Sequence, residues 1–189
     1  MNGTVRTFLA LHIPDSVRKD LREFEARLQR FDADVKWVRP EALHITLKFL
    51  GDVESGRIPE VGDAVDRAVS GKRAFDLSLE GTGCFPNLKR PAVLWIGVKE
   101  GAKEATDLAS AAESALLELG FEREKRPFSP HLTMGRIRSP RNVTQMMKAA
   151  AEAGFASAPF RIDSVHLMKS DLQYTGAVYT SLRSLKLQG

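Results

Sequence analysis

Two short stretches of the sequence each pair a histidine with a threonine two residues later. His44 and Thr46 form the first pair, and His131 and Thr133 form the second. An apolar residue stands between the members of each pair, and successive side chains of a strand point to opposite faces of a sheet. The pattern therefore predicts two strands that each present an imidazole and a hydroxyl on one face and bury the other face.

An imidazole beside a hydroxyl suits chemistry on a phosphate group. With a pKa of roughly 6.5, one histidine can take a proton from water while another protonates a departing oxygen. Threonine hydroxyls can bond the non-bridging phosphate oxygens, and Arg136 adds a fixed positive charge suited to a phosphoryl group. We therefore predict His44 and His131 as the catalytic pair, and Thr46, Thr133 and Arg136 as substrate-binding residues.

A single pair of this kind has a simpler interpretation. Threonine is favoured in strands whatever their function, and an isolated histidine is not diagnostic. The repetition favours catalysis, because acid–base chemistry on a phosphate uses two such groups. His12 and His166 lie in strand-like stretches without a threonine two residues later, and we interpret both as structural.

Other catalytic chemistries find less support in the sequence. A zinc hydrolase takes three protein ligands, often in a local spacing such as His-Glu-x-x-His, and that spacing does not occur. No Gly-x-Ser-x-Gly elbow is present, and Cys84 has no histidine near it in the sequence. We therefore predict a site without a metal or a cofactor.

Length and composition restrict the class of protein. A chain of 189 residues can form one large domain or two small lobes that share a core. Its single cysteine cannot form an internal disulfide, which favours a reducing compartment. The apolar run at residues 8–13 is too short for a signal peptide or a membrane span. The net charge of +4 is compatible with a polyanionic partner. We expect a cytoplasmic monomer without membrane association.

The predicted elements follow in the same order twice along the chain. Hydrophobic periodicity indicates a strand, a helix, a histidine-containing strand, a helix and a strand in each half. The histidine-containing strands at 44–47 and 131–134 are 131 − 44 = 87 residues apart, close to half the chain. An internal duplication explains this spacing. It predicts one domain over residues 1–189, with two similar lobes whose histidine-containing strands face each other across a cleft.

Three further segments lie outside the two motifs. Residues 81–86 are predicted as a loop, whose Gly-x-Gly is weak evidence for phosphate binding because no helix follows it. Residues 160–167 are predicted as strand, with a bulge at Asp163 and Ser164. Residues 174–187 are predicted as the last strand.

Longer stretches around the two motifs resemble a known family. They are RTFLAL at 6–11, WV at 37–38, LHITLKFLG at 43–51, GCFP at 83–86, VLWIGV at 93–98 and PFSPHLTMGR at 127–136. On these residues the chain resembles the two-histidine phosphoesterase superfamily. Within it, the chain is similar to the RNA 2′,3′-cyclic phosphodiesterases, also called 2′-5′ RNA ligases (LigT-like). Met134 stands where leucine is more usual, which is a mild change on a buried face.

The resemblance implies a fold, a reaction and partners. The fold would be α+β and bilobal, with two pseudo-symmetric lobes that each have an antiparallel sheet and flanking helices around a central cleft. The reaction would be metal-independent hydrolysis of an RNA 2′,3′-cyclic phosphate to a 2′-phosphomonoester, and some members also join RNA through a 2′-5′ linkage. The partners would be RNA or oligonucleotide ends that bear the cyclic phosphate, including tRNA halves.

The resemblance also implies roles for the motif residues. His44 would protonate the 3′ oxygen, His131 would activate water, and Thr46 and Thr133 would bind the phosphate. The sequence itself leaves the reverse assignment of the two histidines open.

A binding function without catalysis is the alternative. A basic two-lobed module could bind single-stranded RNA and stack its bases on Trp37, Phe85 or Tyr174. This alternative leaves the duplicated pairs of imidazole and hydroxyl unexplained.

Overall fold

The computed structural model describes residues 3–173 and 176–189, so Tyr174 and the beginning of the last predicted strand lie outside the described residues. Strands and α-helices alternate along the chain. In order they are β1 (Thr4–His12), α1 (Asp15–Gln29), β2 (Val35–Trp37), β3 (His44–Glu54), α2 (Ile58–Val69), β4 (Phe75–Leu77), β5 (Leu79–Phe85), β6 (Val93–Val98), α3 (Ala102–Glu118), β7 (His131–Ile137), α4 (Val143–Ala153), β8 (Phe160–Ile162), β9 (Ser164–Gln173) and β10 (Gly176–Lys186).

One antiparallel sheet of eight strands forms the frame of the molecule. Its strands lie in the order β10, β9, β1, β3, β7, β6 and β5, and β2 pairs with β7. Strands β4 and β8 form a separate two-stranded sheet. The predicted α+β class is confirmed. The two halves of the large sheet join directly, because β3 and β7 are neighbours.

The helices cover one face of the large sheet with their apolar sides. In α1 the buried residues Val17, Leu21, Phe24 and Leu28 recur every three or four positions, as one face of a helix requires. Helix α1 lies near α4, and α2 packs against α3. Among the helices in the described ranges, none is both long and apolar enough to cross a membrane.

Strand β3 has a bulge immediately after the threonine of its motif. Thr46 pairs with Ala10 of β1, but Lys48 pairs with Leu9, so Leu47 has no partner of its own in β1. A bulge shifts the alternation of faces by one residue. Lys48 is consequently turned to the buried side of the sheet, where it is 4% exposed.

Strand β7 has the same irregularity at the same place in its motif. Thr133 pairs with Trp95 of β6 and Gly135 pairs with Leu94, so Met134 is the extra residue. The residue after Gly135 is Arg136, and the shift turns it to the face that carries Thr133.

The loop predicted at residues 81–86 is wrong, because Leu79–Phe85 forms β5. Gly81 has a φ of +75° and lies where the register of β5 against β6 shifts. At Gly83 an added Cβ would lie 2.2 Å from the ring of Trp95. The two glycines therefore permit a bulge and the close approach of an aromatic ring.

The bulge predicted at Asp163 and Ser164 is also wrong. Strand β8 pairs with β4 in the small sheet, whereas β9 begins at Ser164 and pairs with β1 and β10 in the large one. The chain passes from one sheet to the other at Asp163. A change of sheet and a bulge both interrupt the alternation of faces, so the sequence pattern alone does not separate them.

Candidate active site

The two motif strands lie side by side at the centre of the large sheet. Strands β3 and β7 are antiparallel, with Ile45 opposite Leu132. Both of these side chains are completely buried and belong to what we call the core face. The opposite face, which we call the site face, carries the histidine and the threonine of both pairs, all of them partly buried.

The antiparallel register makes the two pairs cross-strand neighbours. With Ile45 opposite Leu132, His44 comes opposite Thr133, and Thr46 comes opposite His131. Side chains that face each other across an antiparallel pair have Cβ atoms about 5 Å apart, and diagonal ones about 7–8 Å. Each imidazole therefore lies beside the hydroxyl of the other pair. The four side chains are close enough together for a single phosphate group to contact both pairs.

Both imidazoles are held by the same kind of hydrogen bond. Nδ1 of His44 lies 2.7 Å from the carbonyl oxygen of Ala42, and Nδ1 of His131 lies 2.7 Å from that of Ser129. A carbonyl oxygen can only accept, so Nδ1 is the donor in each ring. The Nε2 atom then carries the lone pair in each ring and is the atom that can exchange a proton with a substrate.

A short turn positions the carbonyl that holds the first imidazole. Residues Pro40–Ala42 form a single 3₁₀ turn, and proline suits its first position because the ring fixes φ near the helical value. Because the turn ends two residues before His44, the carbonyl of Ala42 comes within reach of the ring that follows.

His44 is uncharged near neutral pH. Its Nε2 atom accepts a hydrogen bond from the hydroxyl of Thr46 at 2.9 Å. Burial lowers the pKa of His44 to about 4, and repulsion from a protonated His12 and from Arg18 acts in the same direction. The hydrogen bond to Ala42 opposes this shift but does not cancel it. The free protein therefore presents a neutral imidazole on β3.

Among the residues that the structure describes, two aromatic rings adjoin the imidazole of each motif. Phe8 and Tyr179 have ring centroids 4.9 and 5.1 Å from the imidazole of β3, with Tyr179 edge-on. Phe85 and Trp95 have centroids 4.9 and 6.2 Å from the imidazole of β7, with Phe85 edge-on. Of these four rings, only Phe85 is predicted from the sequence to contact the substrate, as a base-stacking residue. The other three were missed because they lie on strands remote in sequence from the motifs.

Two further imidazoles, those of His12 and His166, lie next to His44. His12 pairs with His44 in the β1–β3 register. The ring of His12 stacks on that of His166, with centroids 3.7 Å apart and an angle of 11° between the planes. His166 also interacts with the hydroxyls of Ser164 and Ser181. Burial lowers the pKa of His12, and lowers that of His166 to about 4. No spacing in the sequence indicates this row of three imidazoles.

Arg136 lies at the rim of the site rather than at its centre. It is exposed on the site face, paired with Lys36 of β2 and Val93 of β6. Three residues separate its position from that of Thr133, which is about 10 Å along a strand. Trp37, by contrast, packs against the hydrophobic core and is not a platform on the site face.

The chain is similar to a known protein family and to several curated proteins. The family described as LigT like Phosphoesterase matches residues 11–95 and, a second time, residues 96–179. An RNA 2′,3′-cyclic phosphodiesterase of Methanothermobacter thermautotrophicus is 34% identical over 184 residues, which cover 97% of this chain and 99% of the relative. One of Archaeoglobus fulgidus is 36% identical over 180 residues, which cover 95% and 98%.

Solved structures share the fold along the whole chain. TT0787 of Thermus thermophilus has a TM-score of 0.82 and 28% identity, covering 97% of this chain and 98% of its own. LigT of E. coli in its apo form has a TM-score of 0.80 and 23% identity, covering 99% of both chains. The two-lobed α+β architecture is therefore common to these proteins and to this chain.

Proposed function

The chain belongs to the LigT-like phosphoesterase family, and we propose that it is a hydrolase that opens 2′,3′-cyclic phosphates at RNA ends to 2′-phosphomonoesters. Curated relatives that match nearly all of the chain carry the name of this activity. The observation that carries the proposal is the pair of imidazoles on adjacent central strands, each with its Nδ1 atom bonded to a backbone carbonyl.

The proposed reaction consumes one water molecule. Nε2 of His131 takes a proton from water while the water oxygen attacks phosphorus. The bond between phosphorus and the 3′ oxygen breaks, and His44 gives a proton to that oxygen, which leaves a 2′-phosphate and a 3′-hydroxyl. The hydroxyls of Thr46 and Thr133 donate to the non-bridging oxygens, and Arg136 offsets their negative charge from the rim. Acid–base help of this kind typically contributes about 10²–10⁴-fold in rate.

The acid role of His44 has a consequence for proton binding. Because the pKa of His44 is about 4 in the free protein, the ring must gain a proton when the substrate binds. The cyclic phosphate diester brings a fixed negative charge next to the ring, which favours the protonated form. The reverse assignment, with His44 as the base, requires no such uptake.

The wider setting of this reaction also belongs to the proposal. The names of the relatives support RNA as the substrate. Use of tRNA halves, 2′-5′ joining of RNA ends, a monomeric state, a cytoplasmic location and a duplicated single domain stay predictions. The proposed chemistry uses only side chains, without a metal or a cofactor.

The product isomer tests the proposal. The protein is incubated with adenosine 2′,3′-cyclic phosphate and EDTA, and the two isomers of AMP are separated by chromatography. We expect 2′-AMP as the only product. Formation of 3′-AMP would mean that the other ester bond breaks, and activity lost with EDTA and restored by zinc would indicate a metal enzyme. Salt-sensitive binding of RNA without any hydrolysis would support the binding module instead.

A further inference from the structure

A groove of about 620 Å³ lies at the end of β7 farthest from His131, between the β5–β6 connection and α4. Of the described residues that line it, four are cationic and none is acidic. The cations are Lys89 and Arg90 from the connection, Arg138 after β7, and Lys148 on α4. The rest of the lining is mainly apolar, so the groove combines positive charge with surfaces that can contact sugars or bases.

The positive charge of this groove is largely uncompensated. Within residues 3–173 and 176–189, the side chains of Lys89, Arg90 and Arg138 form no ion pair and no hydrogen bond, and all three are exposed or partly exposed. Lys148 has a single carboxylate neighbour, Glu152, at 3.8 Å on the same helix. Cations gathered without acidic partners produce a positive potential that attracts a polyanion.

The groove and the rim of the candidate active site are neighbours along the chain at the end of β7. Arg136 precedes Arg138 by two residues, and Lys36 pairs with Arg136 across β2 and β7. The distance from Thr133 to Arg138 is five residues, or about 16 Å along a strand. A stacked nucleic-acid strand rises about 3.4 Å per nucleotide. A strand of about five nucleotides therefore spans the distance from the phosphate site to the groove.

We propose that this groove binds the phosphodiester backbone of a single-stranded RNA whose 3′ end, with the cyclic phosphate, occupies the site between β3 and β7. The inference rests on the proposed function and narrows its substrate class. Oligoribonucleotides of about five or more nucleotides are preferred to nucleoside cyclic phosphates, because only they reach the unpaired cations. Each phosphate that a cation neutralises releases counterions, which makes the preference depend on salt.

A charge-neutral triple variant tests the groove, with a matched control elsewhere on the surface. The test variant carries Lys89→Gln, Arg90→Gln and Arg138→Gln. The control carries Arg67→Gln, Lys72→Gln and Arg73→Gln, which remove the same charge from exposed positions outside the groove. For each protein, kcat/KM is measured with adenosine 2′,3′-cyclic phosphate and with RNA of one to about twelve nucleotides that ends in the cyclic phosphate.

We expect the wild type to gain kcat/KM with RNA length up to about five or six nucleotides. In the test variant this gain falls by about tenfold or more. The slope of log kcat/KM against log salt becomes shallower by about 2, because each of the three lost contacts to a single-stranded phosphate contributes about 0.7 to the slope. Its activity on the mononucleotide is unchanged. The control variant follows the wild type with every substrate.

Three results would overturn the inference: equal losses for short and long substrates, an unchanged length dependence in the test variant, or an equal loss in the control. Failure of the proposed function is recognised separately, because the wild type would then not hydrolyse the mononucleotide. In that case the inference is tested by the affinity of the test and control variants for a labelled RNA of about twelve nucleotides. The inference requires weaker and less salt-dependent binding by the test variant than by the control.

Discussion

His44 and His131 are held by identical hydrogen bonds but have different neighbours. In each case a carbonyl two residues earlier accepts from Nδ1. Burial, with repulsion from Arg18 and from a protonated His12, disfavours a second proton on the ring of His44, whereas the imidazole of His131 adjoins Phe85. Different surroundings give chemically equal side chains different tasks in acid–base catalysis.

Proton uptake on binding should reveal the task of His44. In the inactive variant His131→Asn, binding of adenosine 2′,3′-cyclic phosphate near pH 6 should take up between about half and one proton, because the phosphate raises the lowered pKa of His44. Calorimetry in buffers of different ionisation enthalpy measures this number.

The double variant His44→Asn, His131→Asn is the control for this measurement and should take up none. Tight binding to the His131→Asn variant without proton uptake would assign the acid role to His131 instead.

The residues at the centre of the site could be predicted from the sequence because their signal is local. A histidine, an apolar residue and a threonine in succession define a strand and its face without reference to the rest of the chain. The rings of Phe8, Tyr179 and Trp95 could not be predicted in the same way. Their position beside the imidazoles depends on strand pairing, which joins residues far apart in sequence.

The bulges in β3 and β7 occupy equivalent positions in the two motifs. Phe49 and Arg136 are 136 − 49 = 87 residues apart, the same interval as the two histidines, and each follows a bulge. Strict alternation would have placed Arg136 on the core face with Leu132 and Met134. An arginine at a position that alternation assigns to the core is the sequence signal for a bulge. In this chain the bulge explains how Arg136 reaches the rim of the site.

The packing of Trp95 on β5 makes Gly83 sensitive to substitution. In Gly83→Ala the new Cβ would lie 2.2 Å from the indole, so the ring must move, and it adjoins both Phe85 and the imidazole of His131. We expect kcat/KM for the cyclic phosphate to fall by about tenfold or more, since small misplacements of catalytic groups have large effects.

Gly56→Ala is a suitable control for this change, because nothing lies within 4 Å of a Cβ there, and it should retain the wild-type kcat/KM. Full activity of Gly83→Ala would show that the indole does not help to position His131.

An ion pair between a buried lysine and a partly exposed glutamate joins β3 to α3 on the core face. Nζ of Lys48 lies 3.0 Å from a carboxylate oxygen of Glu113 and 2.9 Å from the carbonyl oxygen of Glu122, and the lysine side chain is 3% exposed. In Glu113→Ala the ammonium loses its partner in a buried environment. We expect the free energy of unfolding to fall by about 2–4 kcal/mol in urea denaturation at pH 7.

Glu113→Gln is the matched control for this ion pair, because the amide oxygen can still accept from Lys48 and from the N–H of Glu124. It should lose less stability than Glu113→Ala. The hydrogen bond from the N–H of Glu124 lowers the pKa of Glu113, and Lys48 lowers it further. The stabilisation that Glu113 provides is therefore fully present above the pKa of the unfolded chain, and it is lost as the pH falls through the lower pKa of the folded protein. Equal stability of Glu113→Ala and the wild type would contradict the account.

Helices were easier to predict than the arrangement of strands. The stripe from Val17 to Leu28 in α1 specifies a helix by local periodicity alone. Residues 81–86 were misassigned because Gly81 and Gly83 are typical of loops, whereas here they accommodate a bulge and an indole. Asp163 was misassigned because a change of sheet has the same local pattern as a bulge.

The continuous sheet explains how residues from both halves of the chain reach one site. Because β3 and β7 pair directly, the register of one sheet fixes the four motif side chains relative to one another. Assembly of the site then requires no closure of one lobe on the other. The internal duplication stays a prediction, as does the monomeric state.

The rate of cyclic phosphate hydrolysis in His44→Asn, His131→Asn and the double variant tests the paired mechanism most directly. If the two imidazoles act together on one phosphate, each single variant should lose about 10²–10⁴-fold in kcat. The double variant should then be only slightly slower than the worse single variant, while all three unfold at the same urea concentration as the wild type. A single variant that keeps wild-type kcat, or losses that multiply in the double variant, would contradict the account.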